Sequence, residues 1–142
     1  MIDGVLLTPL KRVFHPGGDI LHALKASSPG FNGFGEAYFS TIQKDFIKGW
    51  KRHNRLTLNL VVPVGSIRFV IYDNRSAKKD IPEFFDVTIN KDNYVRITIP
   101  PSVWVCFKGL EDSNLLMNII AEEHDMAESD NIPLEDINFS FE

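Results

Sequence analysis

Seven consecutive residues, Ile47-Lys48-Gly49-Trp50-Lys51-Arg52-His53, hold three cations and a histidine, and Arg55 follows two positions later. Histidine changes its charge near neutral pH without help from its surroundings, so His53 is a candidate acid or base. The lysines and arginines suit an anion. In an extended strand, alternation puts Gly49, Lys51, His53 and Arg55 on one face, and Trp50 and Arg52 on the other. Cations inside an apolar sheet are costly unless paired or in contact with water. Two readings fit: an edge strand with a solvated face, or a wet ligand cavity in which cations hold an anion beside a titratable histidine.

Other reactive residues offer less. Cys106 is the only cysteine. It lies in the apolar run Val103-Trp104-Val105-Cys106-Phe107, which reads as buried packing, and it cannot form an internal disulfide. His15 and His22 flank a Gly17-Gly18 turn and read as surface or packed histidines. His124 stands among Glu122, Glu123 and Asp125. In an exposed acidic tail such a cluster has little consequence. No glycine-rich phosphate loop is present.

Composition narrows the class. The chain has 142 residues, 44% hydrophobic and 24% charged, enough for one domain (residues 1–142) with a real core. The net charge is −4, with no basic run, which argues against a nucleic-acid partner. No apolar stretch reaches the length of a membrane span, and the first residues do not read as a signal peptide. The cytoplasm is the expected location.

The elements that must position the basic segment are strands. Residues 5–14 read as an edge strand interrupted by Pro9, and residues 15–18 as a turn. A short helical turn, or a strand, is expected over 20–25. A loop at 27–35 precedes a strand over 36–43. Residues 46–62 split near Asn54. In the second half Leu56, Leu58, Leu60 and Val62 share one face, and Thr57, Asn59 and Val61 the other. Strands follow at 67–73, 84–89, 94–99, 103–107 and 115–121, with a polar loop at 74–82 and a hairpin turn at 90–93. The tail after Ala121 is acidic. Many short strands at regular spacing, with few helical patterns, predict an all-β sandwich or barrel. A polar strand, a glycine turn, an apolar strand, and then a strand ending in Ile99-Pro100-Pro101 read as a cupin, the double-stranded β-helix or jelly-roll barrel, with its functional residues at the mouth.

Metal-binding cupins place two histidines at alternate positions, then a glutamate, then a third histidine on a later strand. Here those positions hold Lys51 and His53, then Thr57, Leu58 and Asn59, and later Val105. One ligand of four does not make a metal site, so neither metal nor cofactor is expected.

The order and spacing of five segments carry a resemblance. They are Phe34-Gly35-Glu36-Ala37-Tyr38-Phe39-Ser40, Ile47 to His53, Val62-Pro63-Val64-Gly65, Val70-Ile71-Tyr72-Asp73, and Ile99-Pro100-Pro101-Ser102-Val103-Trp104. Over about residues 6–136 the chain resembles the dTDP-4-dehydrorhamnose 3,5-epimerase family, and most closely its epimerase-like members associated with bacterial surface-polysaccharide synthesis. The resemblance implies a metal-free cupin, usually a homodimer, acting on nucleotide-linked 4-keto-6-deoxy sugars. It implies a histidine base that removes the proton next to the ketone, a tyrosine acid on the opposite face, and cations that stabilise the enolate.

The family's Arg-Gly-x-His strand falls on Lys48-Gly49-Trp50-Lys51, so lysine replaces both the arginine and the base. The arginine's bidentate fork is lost. The tyrosine position falls near Asn118, and no tyrosine occurs after Tyr94. The carboxylate that orients the base aligns loosely with Asp73 or Asp130. The family's N-terminal Arg-Gly is Gly17-Gly18 here.

Bringing a lysine from about 10.4 to near 7 costs roughly 4 kcal/mol, whereas a histidine needs almost no shift. On that cost His53 is favoured as the base and Lys51 as the cation beside it, with the reverse assignment open. Lys48 and Arg55 are expected to stabilise the enolate or a substrate phosphate. Asn59, Tyr72 and Asn118 are expected as wall residues. The expected function is epimerisation or isomerisation of a nucleotide-linked keto-deoxy sugar. The alternative is a non-catalytic cupin that binds a sugar nucleotide or serves as a partner subunit. Pairing of two copies through residues 5–10 is expected.

Overall fold

The apolar alternation after Asn54 builds the centre of the molecule. Leu56, Leu58, Leu60 and Val62 all point into one core with Ile67, Phe69, Ile71, Ile97 and Ile99. Of these, Val62, Ile67, Phe69, Ile71, Ile97 and Ile99 are wholly buried, and each such side chain contributes about 1.5–3 kcal/mol by leaving water.

The computed structural model describes residues 2–76 and 83–142. Its strands are β1 (Leu6–Pro9), β2 (Arg12–Val13), β3 (Ile20–Leu21), β4 (Glu36–Thr41), β5 (Ile47–His53), β6 (Leu58–Val64), β7 (Ile67–Asp73), β8 (Glu83–Ile89), β9 (Val95–Ile99), β10 (Trp104–Gly109), β11 (Leu115–Ile120) and β12 (Ser129–Asn131). They form two antiparallel five-stranded sheets, ordered β1-β9-β6-β11-β4 and β12-β5-β10-β7-β8, with β2 and β3 as a separate pair. This is the expected all-β cupin, although the sheets are not closed into a barrel. No helix among the described residues is long and apolar enough to cross a membrane.

Residues 20–21 take the second of the two expected forms, the strand β3, paired with β2. β1 is an edge strand as expected, paired with β9 at the end of its sheet. One feature departs from the sequence reading. The acidic tail is not a solvated appendage: its residues 129–131 form β12 on the edge of β5. The expected loop at 74–82 lies partly outside the described residues.

The tail folds back because it carries apolar anchors. Ile137 is buried with Trp50, Val70, Trp104 and Cys106, and Ile132, Phe139 and Phe141 pack against that cluster. Trp50 Nε1 donates to the Leu134 carbonyl at 3.2 Å, and Arg68 donates to the Phe141 carbonyl at 2.8 Å. Cys106 is buried there as expected, and burial pushes its thiol up to about 12.

A register shift in β5 decides where its cations point. Lys51 pairs with Val105, but Lys48 pairs with Phe107, so three steps on β5 match two on β10. One extra residue reverses the facing of everything beyond it. Lys48 thereby joins Lys51 on the inner face, where strict alternation had separated them. Glycine is required at the turn of this bulge. Gly49 has φ +130°, and a Cβ there would lie 2.5 Å from the Cys106 Cβ and 2.7 Å from the Val105 carbonyl oxygen.

Candidate active site

Between the sheets lies a cavity of about 270 Å³. The sheet containing β5 lines it with Lys48, Lys51, His53, Val105, Phe107 and Asn131. The facing sheet lines it with Tyr38, Ser40, Leu58, Leu60, Leu116 and Asn118. The apolar side chains form its floor, continuous with the core.

His53 is buried on the last position of β5. Its Nδ1 lies 2.5 Å from Oε1 of Glu128, which is itself buried. The other carboxylate oxygen of Glu128 accepts the backbone N–H groups of Arg55 at 2.7 Å and Leu56 at 2.8 Å. Glu128 sits in a single 3-10 turn (Met126–Glu128), directly before β12 brings the tail alongside β5. Burial pushes the Glu128 carboxyl up, but the two backbone donors and His53 more than offset this, so its pKa lies below the ordinary range. Burial in turn lowers the pKa of His53, and the bond to Glu128 opposes that only in part. The result is a neutral imidazole with its Nδ1 proton held by a carboxylate and Nε2 left as the acceptor, the form a general base needs.

The two lysines differ in their surroundings. Lys48 Nζ donates to the Thr41 carbonyl at 2.6 Å and to Ser40 Oγ at 3.3 Å. It lines both this cavity and a neighbouring groove of about 440 Å³ with Phe46, Gln43, Asp112 and Ser113. The Lys51 ammonium has no hydrogen-bond or ion-pair partner among the described residues. Opposite them, Asn118 Nδ2 donates to Tyr38 Oη at 2.8 Å, while Asn118 Oδ1 is buried without a partner among the described residues. The Tyr38 ring meets the His124 ring edge-on, centroids 6.1 Å apart.

Of the residues expected at the site, His53, Lys51, Lys48 and Asn118 come together in the cavity, and three do not. Arg55 falls beyond the end of β5, and its exposed guanidinium pairs with Glu122, Nε at 2.9 Å and Nη2 at 3.2 Å. Asn59 points to the outer side of β6. There it donates to the Gly30 carbonyl and accepts from Arg96 and Thr98 at 3.0 and 2.7 Å, a buried structural network. Tyr72 lies on the outer face of the second sheet, its ring 5.0 Å from that of Phe84, in a groove with Arg52 and Trp104.

The carboxylate that orients the histidine is Glu128, not Asp73 or Asp130. Asp73 binds Arg75, and Asp130 binds Arg52 at 2.8 Å. Glu128 and Tyr38 are the functional candidates that the sequence reading missed. The apolar residues of the tail, Ile132, Ile137, Phe139 and Phe141, were the available signal that it returns to the sheet with Glu128. Among the described residues no group of three or more His, Cys, Asp or Glu is placed to hold a metal ion.

No family model and no curated protein matches this sequence. Solved structures do. A dTDP sugar isomerase from Desulfovibrio desulfuricans G20 is 37% identical, with a TM-score of 0.91 over 98% of this chain and 91% of that one. The 3,4-ketoisomerase QdtA from Thermoanaerobacterium thermosaccharolyticum, in complex with TDP-4-keto-6-deoxyglucose, shares the fold at 21% identity, with a TM-score of 0.75 over 91% of this chain and 88% of that one. A dTDP-4-dehydrorhamnose 3,5-epimerase from Sulfolobus tokodaii does so at 20% identity and a TM-score of 0.84, over 98% and 82%. With 37% identity across almost its whole length, and a cavity built around a carboxylate-held histidine, the chain belongs to the dTDP-sugar isomerase family, within the cupins related to dTDP-4-dehydrorhamnose 3,5-epimerase.

Proposed function

We propose that this protein is an epimerase or isomerase of a nucleotide-linked 4-keto-6-deoxy sugar, working by proton transfer at the carbon next to the ketone. The observation that carries the reading is the buried His53–Glu128 pair on the wall of a cavity that Lys48 and Lys51 also line. Proton abstraction next to a ketone needs a neutral base and a positive charge for the developing enolate oxygen. His53 supplies the first. Lys51, not engaged elsewhere among the described residues, supplies the second. Lys48 stands at the junction with the neighbouring groove, a position suited to a sugar-linked phosphate. The product would serve surface-polysaccharide synthesis in the cytoplasm.

The test is exchange. Incubated with TDP-4-keto-6-deoxyglucose in D2O, the wild-type protein should introduce deuterium at the carbon next to the ketone. Tight binding without exchange would instead favour a sugar-nucleotide binder. The pH dependence has a definite sign. The base works when neutral, and burial lowers its folded pKa. The kcat/KM should therefore rise as pH climbs through that lowered value and be flat above it, with its acid midpoint below about 6.5. A midpoint above 7 contradicts a buried neutral His53.

Assembly is a separate expectation. Among the described residues β1 pairs only with β9, at the end of the first sheet, and we propose that its other edge receives a second copy. Light scattering should report a dimer. A stable monomer at micromolar concentration refutes it.

A further inference from the structure

Glu128 reaches His53 on a segment that is weak by itself. β12, which follows Glu128 directly, has three residues and among the described residues pairs only with β5. So short an edge strand is marginal without packing. Yet its register decides the site. Ser129 pairs with His53, Asp130 with Arg52 and Asn131 with Lys51. A slip of one residue turns every side chain to the other face and carries Glu128 out of reach of the imidazole. The strongest anchors of that register lie on the outer face of β5. Just beyond β12, Trp50 and Ile132 exchange backbone hydrogen bonds at 3.3 and 3.1 Å. The indole N–H of Trp50 donates to the Leu134 carbonyl, and Trp50 and Ile137 are buried together in the apolar cluster beneath the tail. Indole has a single N–H on a rigid ring, so that bond admits one position of the tail. Arg52 adds a clamp: its guanidinium lies 4.6 Å over the Trp104 ring and donates to Asp130, which also accepts from Asn54. That ion pair is partly exposed and contributes little, so the buried anchors dominate.

We propose that Trp50 and Ile137, on the side of the sheet away from the cavity, are positioning residues for the base: they latch the C-terminal tail in the register that keeps Glu128 on His53 Nδ1. The role of His53 as base rests on the epimerase or isomerase reading above; the latch itself does not. Neither Trp50 nor Ile137 lines the cavity, so neither acts on substrate directly. Their influence runs through the tautomer. Glu128 in place accepts the Nδ1 proton and leaves Nε2 as the acceptor. With Glu128 displaced, the neutral imidazole divides between its two tautomers, and the one protonated on Nε2 cannot take a proton from that side.

The experiment has two readouts. The first is NMR of the His53 imidazole nitrogens in substrate-free protein, at a pH where the ring is neutral. Wild type should show the Nδ1–H tautomer alone. Ile137→Ala should show a mixture with Nε2–H. Trp50→Phe, which keeps an aromatic ring in the cluster but loses the donor, should show a smaller change in the same direction. The second readout is hydrogen exchange between TDP-4-keto-6-deoxyglucose and D2O. Ile137→Ala should slow it by roughly 10–10²-fold, the scale of a misplacement far from the chemistry. In a Glu128→Gln background the same substitution should cost no more than about two-fold further, because its route is already cut. A general packing lesion costs the same in both backgrounds. Thermal melting shows whether each variant folds, and if Ile137→Ala does not, Ile137→Val and Trp50→Phe take its place in both tests. A pure Nδ1–H tautomer in the folded variants overturns the proposal, and so do additive losses in the double variant. Wild-type protein that binds the sugar nucleotide without exchange removes the functional reading, while the tautomer measurement still decides the latch.

Discussion

Glu128→Gln is expected to abolish most of the activity, by roughly 10²–10⁴ in exchange rate, close to the loss in His53→Ala. The substitution barely changes shape, so the size of the effect comes from hydrogen-bond logic. One oxygen of Glu128 accepts two backbone N–H groups, from Arg55 and Leu56. A glutamine must keep its carbonyl there, since an NH2 group would face two donors. Its NH2 then points at His53 Nδ1, which must become an acceptor. The neutral imidazole moves its proton to Nε2, and the nitrogen left to the cavity can no longer take a proton. Without the carboxylate, which opposes the lowering by burial, the small remaining acid limb should also move to lower pH. Thermal melting should confirm that the variant folds. A Glu128→Gln enzyme within about three-fold of wild type would sink the tautomer argument, whatever His53→Ala does.

Much of this molecule was legible because strands have a period of two. The face of Leu56, Leu58, Leu60 and Val62 and the placement of Lys51 with His53 follow from alternation alone. What alternation hides is any event that resets it. The bulge at Gly49 carries Lys48 to the inner face, and nothing in the residue types signals the extra step except the glycine itself. Alternation also overreaches at the end of a strand. Arg55 shares parity with His53, yet β5 has ended, and its side chain turns outward to Glu122. Asn59 and Tyr72 were placed by type rather than by face, and both fall on outer surfaces of their sheets. The partners of His53 and Asn118 were harder still. Glu128 is 75 positions from His53, and Tyr38 is 80 from Asn118. Contacts of that range depend on which strands become neighbours, and composition points the wrong way for a buried glutamate in an acidic tail.

Lys51→Met should cost about 10²–10³ in the same exchange assay, the scale of losing one group that stabilises a developing oxyanion. Lys51→Arg should keep a sizeable part of the activity. The contrast separates two roles that the sequence left open, because an arginine carries the charge but cannot serve as a base in a protein. The structure favours charge. His53 has what a base requires: a carboxylate on its far nitrogen, held in turn by two backbone donors. Lys51 has no such orienting partner among the described residues, and it lines the cavity two positions before His53 on the same strand. A proton leaving toward His53 pushes electrons onto a ketone oxygen, and the nearest uncommitted positive charge then lowers the barrier most. Lys48 does not substitute for it, because its ammonium is engaged by the Thr41 carbonyl at 2.6 Å. If Lys51→Arg is inactive while His53→Ala exchanges hydrogen at the wild-type rate, the roles are reversed and the lysine is the base.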